Sequence, residues 1–99
     1  MKLKINIPET DINFFCRQNH IKHLALFGSV LRDDFNADSD IDVLVEFEPG
    51  TRVGLRFFGM EAELSKILGR KVDLNTAAFL SEHFRSQIIN EAVTLYDAA

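Results

Sequence analysis

Apolar and polar positions along this chain follow two periods that trade places several times. Lys2 to Ile7 alternates, with Leu3, Ile5 and Ile7 on one side until Pro8 ends it, which predicts a short edge strand or arm. From Glu9 or Thr10 to about Asn19 the spacing turns helical: Ile12, Phe15 and Cys16 share a face, and Glu9 and Asp11 lie at the end that favours acids. An apolar run from Leu24 to Phe27 predicts a strand, broken by Gly28-Ser29 and followed by a helical turn. Ten residues after Ser29, Asp40-Ile41-Asp42 opens a second apolar run, Val43 to Phe47. Glu48-Pro49-Gly50 reads as a turn, and a helix follows from about Gly54 to Leu68, burying Phe57, Met60, Leu64, Ile67 and Leu68 and stopping at Gly69. Lys71 to Thr76 predicts a third strand with Val72 and Leu74 inward. Ser81 is the expected cap of a last helix, Glu82 to Ala92, with Phe84, Ile88 and Ile89 inward, and Thr94 to Tyr96 adds a short strand.

Length and charge narrow what such a chain can do. Ninety-nine residues make one domain, 1–99, with a single modest core. Hydrophobic content of 46% with 26% charged residues is that of a soluble globular protein. A net charge of −4 argues against direct gripping of nucleic acid, which calls for a basic stripe. It leaves room for a nucleotide that arrives with its metals. One cysteine, Cys16, allows no internal disulfide and suits a reducing compartment. The opening MKLKINIPETD lacks the apolar core of a signal peptide, and no run reaches membrane-spanning length, so a cytoplasmic address is expected.

The candidate chemistry lies between Phe27 and Glu46. A glycine after a strand lets the backbone turn sharply, and a serine opening a helical turn leaves N–H groups and a hydroxyl for an anion, phosphate above all. In the strand that follows, Asp40 and Asp42 share one face while Ile41, Val43 and Val45 share the other. Asp73 points to that same side of its own strand. Two residues along a strand span about 6.6 Å and the next strand lies about 4.8 Å away, so three carboxylates can enclose two cations roughly 3.5 to 4 Å apart. Left bare, like charges about 5 Å apart repel by about 3 kcal/mol per pair at an effective dielectric of about 20. Mg²⁺, which takes hard oxygen ligands and bridges to phosphates, is the natural partner.

Rival readings of these residues fail on spacing. Asp38, Asp40 and Asp42 match positions 1, 3 and 5 of a calcium loop, but Val43 sits where the loop needs Gly and Pro49 where it needs Glu. Cys16, His20 and His23 lack any further ligand pattern and read as residues near a helix end and a strand start. Gly-Ser, ten residues and Asp-x-Asp together arise by chance in a chain this short about once in a thousand.

Gly28-Ser29, the ten-residue spacer, Asp40-Ile41-Asp42 and Lys71-Val72-Asp73-Leu74 resemble the nucleotidyltransferase superfamily of DNA polymerase beta type, and within it the minimal nucleotidyltransferases. The resemblance covers nearly the whole chain. It implies an α+β, two-layer fold: a small mixed β-sheet with helices packed on one side. It further implies that Gly28 and Ser29 hold a nucleoside triphosphate, that Asp40 and Asp42 bind two Mg²⁺, and that Asp73 joins the metal site and helps activate an attacking hydroxyl. Arg32 matches an arginine that many members place three residues after the serine, within reach of phosphate, whereas Asp33 stands where glycine is frequent. Minimal nucleotidyltransferases are commonly paired with HEPN-type ribonuclease toxins, and some are antitoxins that attach AMP from ATP to a toxin tyrosine. The implied function is therefore a protein adenylyltransferase antitoxin in a complex with such a toxin. Two alternatives belong to other classes: a binding module that masks its partner, and a transferase acting on a small molecule of aminoglycoside type.

Overall fold

The computed structural model describes residues 5–33 and 35–98. The elements run α1 (Glu9–Gln18), β1 (Ile21–Phe27), β2 (Ile41–Phe47), α2 (Arg56–Leu68), β3 (Val72–Asn75), α3 (Glu82–Glu91) and β4 (Val93–Asp97). Strands are ordered β3-β2-β1-β4 in one sheet. β1 lies antiparallel to both β2 and β4, while β3 runs parallel to β2 because α2 crosses over between them. This is the expected α+β architecture with a mixed sheet.

Strand alternation divides the sheet into a core face and a second, partly covered one. Leu24, Leu26, Ile41, Val43, Val45, Val72 and Leu74 point into a core closed by Ile12, Phe15 and Cys16 of α1 and by Met60, Leu64 and Leu68 of α2. Burial among these side chains pushes the Cys16 thiol up to about 12, so it acts as a small apolar filler. Asp42, Leu44 and Glu46 alternate with that set and face the other way, as do Asp73 and Asn75. Helix α2 stops at Gly69, whose φ of 69° is a left-handed conformation suited to glycine.

Four expectations need correction. β1 begins at Ile21, three residues before the apolar run, because a register shift between Ile21 and His23 breaks its alternation while both Ile21 and Leu24 stay buried. Residues 2–4 of the expected N-terminal strand lie outside the described residues; 5–7 form no strand, and Ile5 and Ile7 instead pack on the core edge. Ser81 stands at the start of α3, but its side chain makes no capping bond; its carbonyl accepts from Arg85 N–H at 2.9 Å. α3 itself buries none of its residues, leaving Phe84 58% and Ile89 48% exposed. It lies along β1 on the face away from the core, where Ala25, Phe27 and Leu44 are buried, while its own Phe84 and Ile89 turn outward. No helix among the described residues is long and apolar enough to cross a membrane.

Candidate active site

At the end of β1 the chain turns at Gly28, with φ +76°, into a single 3-10 turn over Gly28–Leu31 that is anchored in the core by Val30. The turn is closed by Arg32 N–H donating to the Ser29 carbonyl at 2.9 Å. A Cβ on Gly28 would stand 3.2 Å from Cγ of Asp42 and closer still to its Oδ2, so only glycine fits. The Gly28-Ser29 backbone thus lies directly on the Asp42 carboxylate.

Register then assembles the acids. In the pairing of β1 with β2, Phe27 faces Asp42, and in the parallel pairing of β2 with β3, Asp42 faces Asp73. Asp40 lies just ahead of β2, tied down by Ile41 N–H donating to the Lys71 carbonyl at 2.9 Å, and its carboxylate is 3.9 Å from Lys71 Nζ. Burial pushes the Asp42 carboxyl above its usual range; the charges of Asp73 and then Asp40 add to this, and the Arg32 guanidinium opposes it. All five predicted residues other than Gly28, namely Ser29, Arg32, Asp40, Asp42 and Asp73, therefore gather around the junction of β1, β2 and β3.

Three further side chains, which the motif does not flag, hold this junction in place. Arg70 Nη2 donates to the carbonyls of Asn36 at 2.6 Å and Ser39 at 2.7 Å, and its guanidinium lies 4.6 Å from the centre of the Phe35 ring. The spacer before Asp40 is thereby clamped to the start of β3. The outer edge of β3 is bonded to α2: Val72 N–H donates to Ser65 Oγ at 3.0 Å and Leu74 N–H to Glu61 Oε2 at 2.8 Å. Those bonds fix the depth of β3 and with it the position of Asp73. The only sequence signal was their place on α2 and beside Gly69, which does not distinguish them from solvated charges.

Among the described residues, no three Asp, Glu, His or Cys side chains already converge on one ion position. The donor chemistry nevertheless fits Mg²⁺, which is held by one or two carboxylates and completes its shell with phosphate oxygens and water. Burial is the first cause of the raised Asp42 carboxyl, and the repulsion from Asp73 and Asp40 that adds to it is what a divalent cation between them would remove.

Residues 11–95 match the nucleotidyltransferase domain family. The chain is 37% identical over 73 residues to a candidate protein adenylyltransferase of Methanocaldococcus jannaschii, covering 74% of this chain and 77% of that one. It is 33% identical over 73 residues to protein adenylyltransferase MntA of Thermococcus cleftensis, covering 74% and 73%. Among solved structures, a toxin-antitoxin complex with AMP-PNP contains a chain that superposes with TM-score 0.72 at 23% identity, over 93% of this chain and 75% of the other. A complex of a tri-AMPylated Shewanella oneidensis HEPN toxin with its MNT antitoxin gives TM-score 0.63 at 24% identity, over 91% and 70%. These two structural likenesses speak to the fold.

Proposed function

The chain belongs to the nucleotidyltransferase domain family, and from that premise we propose that it moves AMP from ATP to a tyrosine hydroxyl of a HEPN-type ribonuclease toxin, acting as the toxin's antitoxin. The observation that carries this reading is the placement of Asp42 between the Gly28-Ser29 turn on one side and Asp73 on the other. A phosphate-holding turn, a metal carboxylate and a base then stand in one row.

Gly28 and Ser29 cradle the triphosphate with backbone N–H groups and the serine hydroxyl, and Arg32 adds positive charge beside them. Asp40, Asp42 and Asp73 would hold two Mg²⁺, which supply charge neutralisation at the alpha-phosphate and on the departing pyrophosphate. Asp73 orients the acceptor hydroxyl and takes its proton. The hydroxyl oxygen bonds to the alpha-phosphorus as the bond to the bridging oxygen breaks, and pyrophosphate leaves with that electron pair.

The relatives named as protein adenylyltransferases support protein as the acceptor, and the HEPN complexes support the kind of partner. So does the surface: Phe58 and Phe79 are each 67% exposed and both meet Phe57 edge to face, an apolar patch of the sort that marks protein contacts. We place this activity in the cytoplasm, in one domain spanning 1–99. The test is incubation of the protein with such a toxin and MgATP. A mass increase of about 329 Da per AMP on the toxin, lost in Asp42→Ala, is expected. Neutralisation that survives Asp42→Ala without any mass change would assign the protein to masking instead.

A further inference from the structure

Helix α2 is apolar on two opposite sides. Met60, Leu64 and Leu68 enter the core, while Leu55 at the helix cap, Phe58, Gly59 and Ala62, spaced three and four residues apart, form a second stripe that faces away from it. Leu55 is 85% and Phe58 67% exposed, and a Cβ placed on Gly59 would meet no atom within 4 Å. A helix on the surface of a lone domain turns polar residues to water, so an apolar stripe over two turns marks a contact.

This stripe is graded in size and flanked by charge. Its large side chains, Leu55 and Phe58, come first, and its small ones, Gly59 and Ala62, follow. Along one flank lie Arg56 and Glu63, two turns or about 10.5 Å apart. Neither side chain has an ion pair or hydrogen bond among the described residues. Arg56 stands in the first turn of α2, where the helix dipole favours an acid and the sequence provides none, so it does not serve its own helix. Glu63 and Asp11 line a groove of about 200 Å³ between α1 and α2, with Phe14, itself 62% exposed, as a wall. The molecule thus carries a cation without a partner and, two turns on, acids that could receive it.

We infer that the outer face of α2 is the contact between two copies of this chain, packed antiparallel about a twofold axis. Charge sets the alignment: Arg56 of each copy lies opposite Glu63 of the other and enters its acidic groove, a reciprocal pairing that a twofold interface requires. The same alignment places Leu55 and Phe58 of each copy against Ala62 of the other, large onto small. The two Gly59 meet near the axis, where they let the helices close. A parallel pair would instead set Leu55 on Leu55 and Arg56 beside Arg56. Of the apolar patch noted above, Phe58 belongs to this contact, whereas Phe79 is not part of the stripe. α2 covers the core face of the sheet and the acids Asp42 and Asp73 turn the other way, so both sets of acids stay uncovered in the pair. The inference stands apart from the transferase reading.

The test is sedimentation of the protein across the micromolar range. The wild type should move to twice the mass of one chain as its concentration rises. Ala62→Arg, at an exposed position, fills the small half of the stripe and should weaken self-association by about tenfold or more. Arg56→Glu sets like charges across the contact and should do the same, while the acid it adds to the first turn of α2 favours the helix, so unfolding does not explain the loss. Combining it with Glu63→Arg exchanges the two charges and should restore the dimer. Leu55→Cys mixed with Ala62→Cys should form a disulfide between copies, and Ala62→Cys alone should not; Cys16 is buried and takes no part. A wild type that stays monomeric throughout would overturn the inference, including one whose stripe is covered only by a different protein. So would a dimer indifferent to both Ala62→Arg and Arg56→Glu, which must use another surface. A double variant that associates no better than Arg56→Glu, or Ala62→Cys that links to itself, would refute the antiparallel arrangement.

Discussion

Asp42 and Asp73 stand directly opposite one another on adjacent parallel strands, both turned away from the helix-covered core. Such a pair costs stability while both are ionised and no cation lies between them. Asp42 is the half-buried member, and its carboxyl is held above the usual value of 3.8, first by burial and then by Asp73 and Asp40. The folded state thus binds a proton more readily than the unfolded one, so stability falls as pH rises from the usual value through the raised one and stays reduced above it. Asp42→Asn removes that loss. Its Tm at pH 7 should exceed that of the wild type by on the order of 4 °C, with the gap closing below about pH 4. Thermal unfolding at both pH values checks this, and added Mg²⁺ should raise the wild type's Tm and not the variant's.

Gly28→Ala tests the approach of the turn to Asp42. Alanine there meets both a left-handed φ and the Asp42 carboxylate, so about 1–3 kcal/mol of stability should be lost. Urea unfolding measures it. A protein of wild-type stability that still binds MgATP normally would show that the turn can move off the carboxylate.

Arg70 clamps a loop; it does not touch the proposed reacting atoms. Arg70→Ala should cost about 1–2 kcal/mol, since two charge-assisted bonds and a ring contact are lost at a partly exposed site. Loosening Asp40 should also raise the Mg²⁺ concentration needed for half-maximal transfer. Arg70→Lys restores the charge but not the planar fork, and should recover only part of that shift.

Asp73→Asn keeps the size of the side chain and removes the proposed base. Transfer should fall by about 10²–10⁴-fold while ATP still protects the protein against thermal unfolding. Equal loss of ATP protection would mean that Asp73 serves the nucleotide and not the acceptor.

The elements that show most plainly in the sequence are those whose pattern is local. The spacing predicts α1 from Glu9 or Thr10 to about Asn19, and the helix runs Glu9–Gln18, because Ile12, Phe15 and Cys16 all fall on a single buried face. The same holds for Val72 and Leu74 on β3, which leave Asp73 the opposite side. α3 misleads because Phe84, Ile88 and Ile89 keep a helical spacing whether or not anything covers them, and of the three only Ile88 is partly buried. The gathering of Ser29, Arg32 and the three acids follows from a motif whose spacing spans two strands. Arg70, Glu61 and Ser65 escape it because their work is side chain to backbone across distances in sequence of 7 to 34 residues, which no periodicity records.

The bonds from Ser65 and Glu61 to the backbone of β3 also decide how the sheet can grow. β3 is an edge strand, and exposed edge N–H groups invite another strand to add. Here Val72 and Leu74 are already engaged, so the acid side of the sheet is closed to strand addition. The edge that carries Asp73 is sealed by the protein's own helix, so a macromolecule meeting these acids would do so through side chains and not by adding a strand.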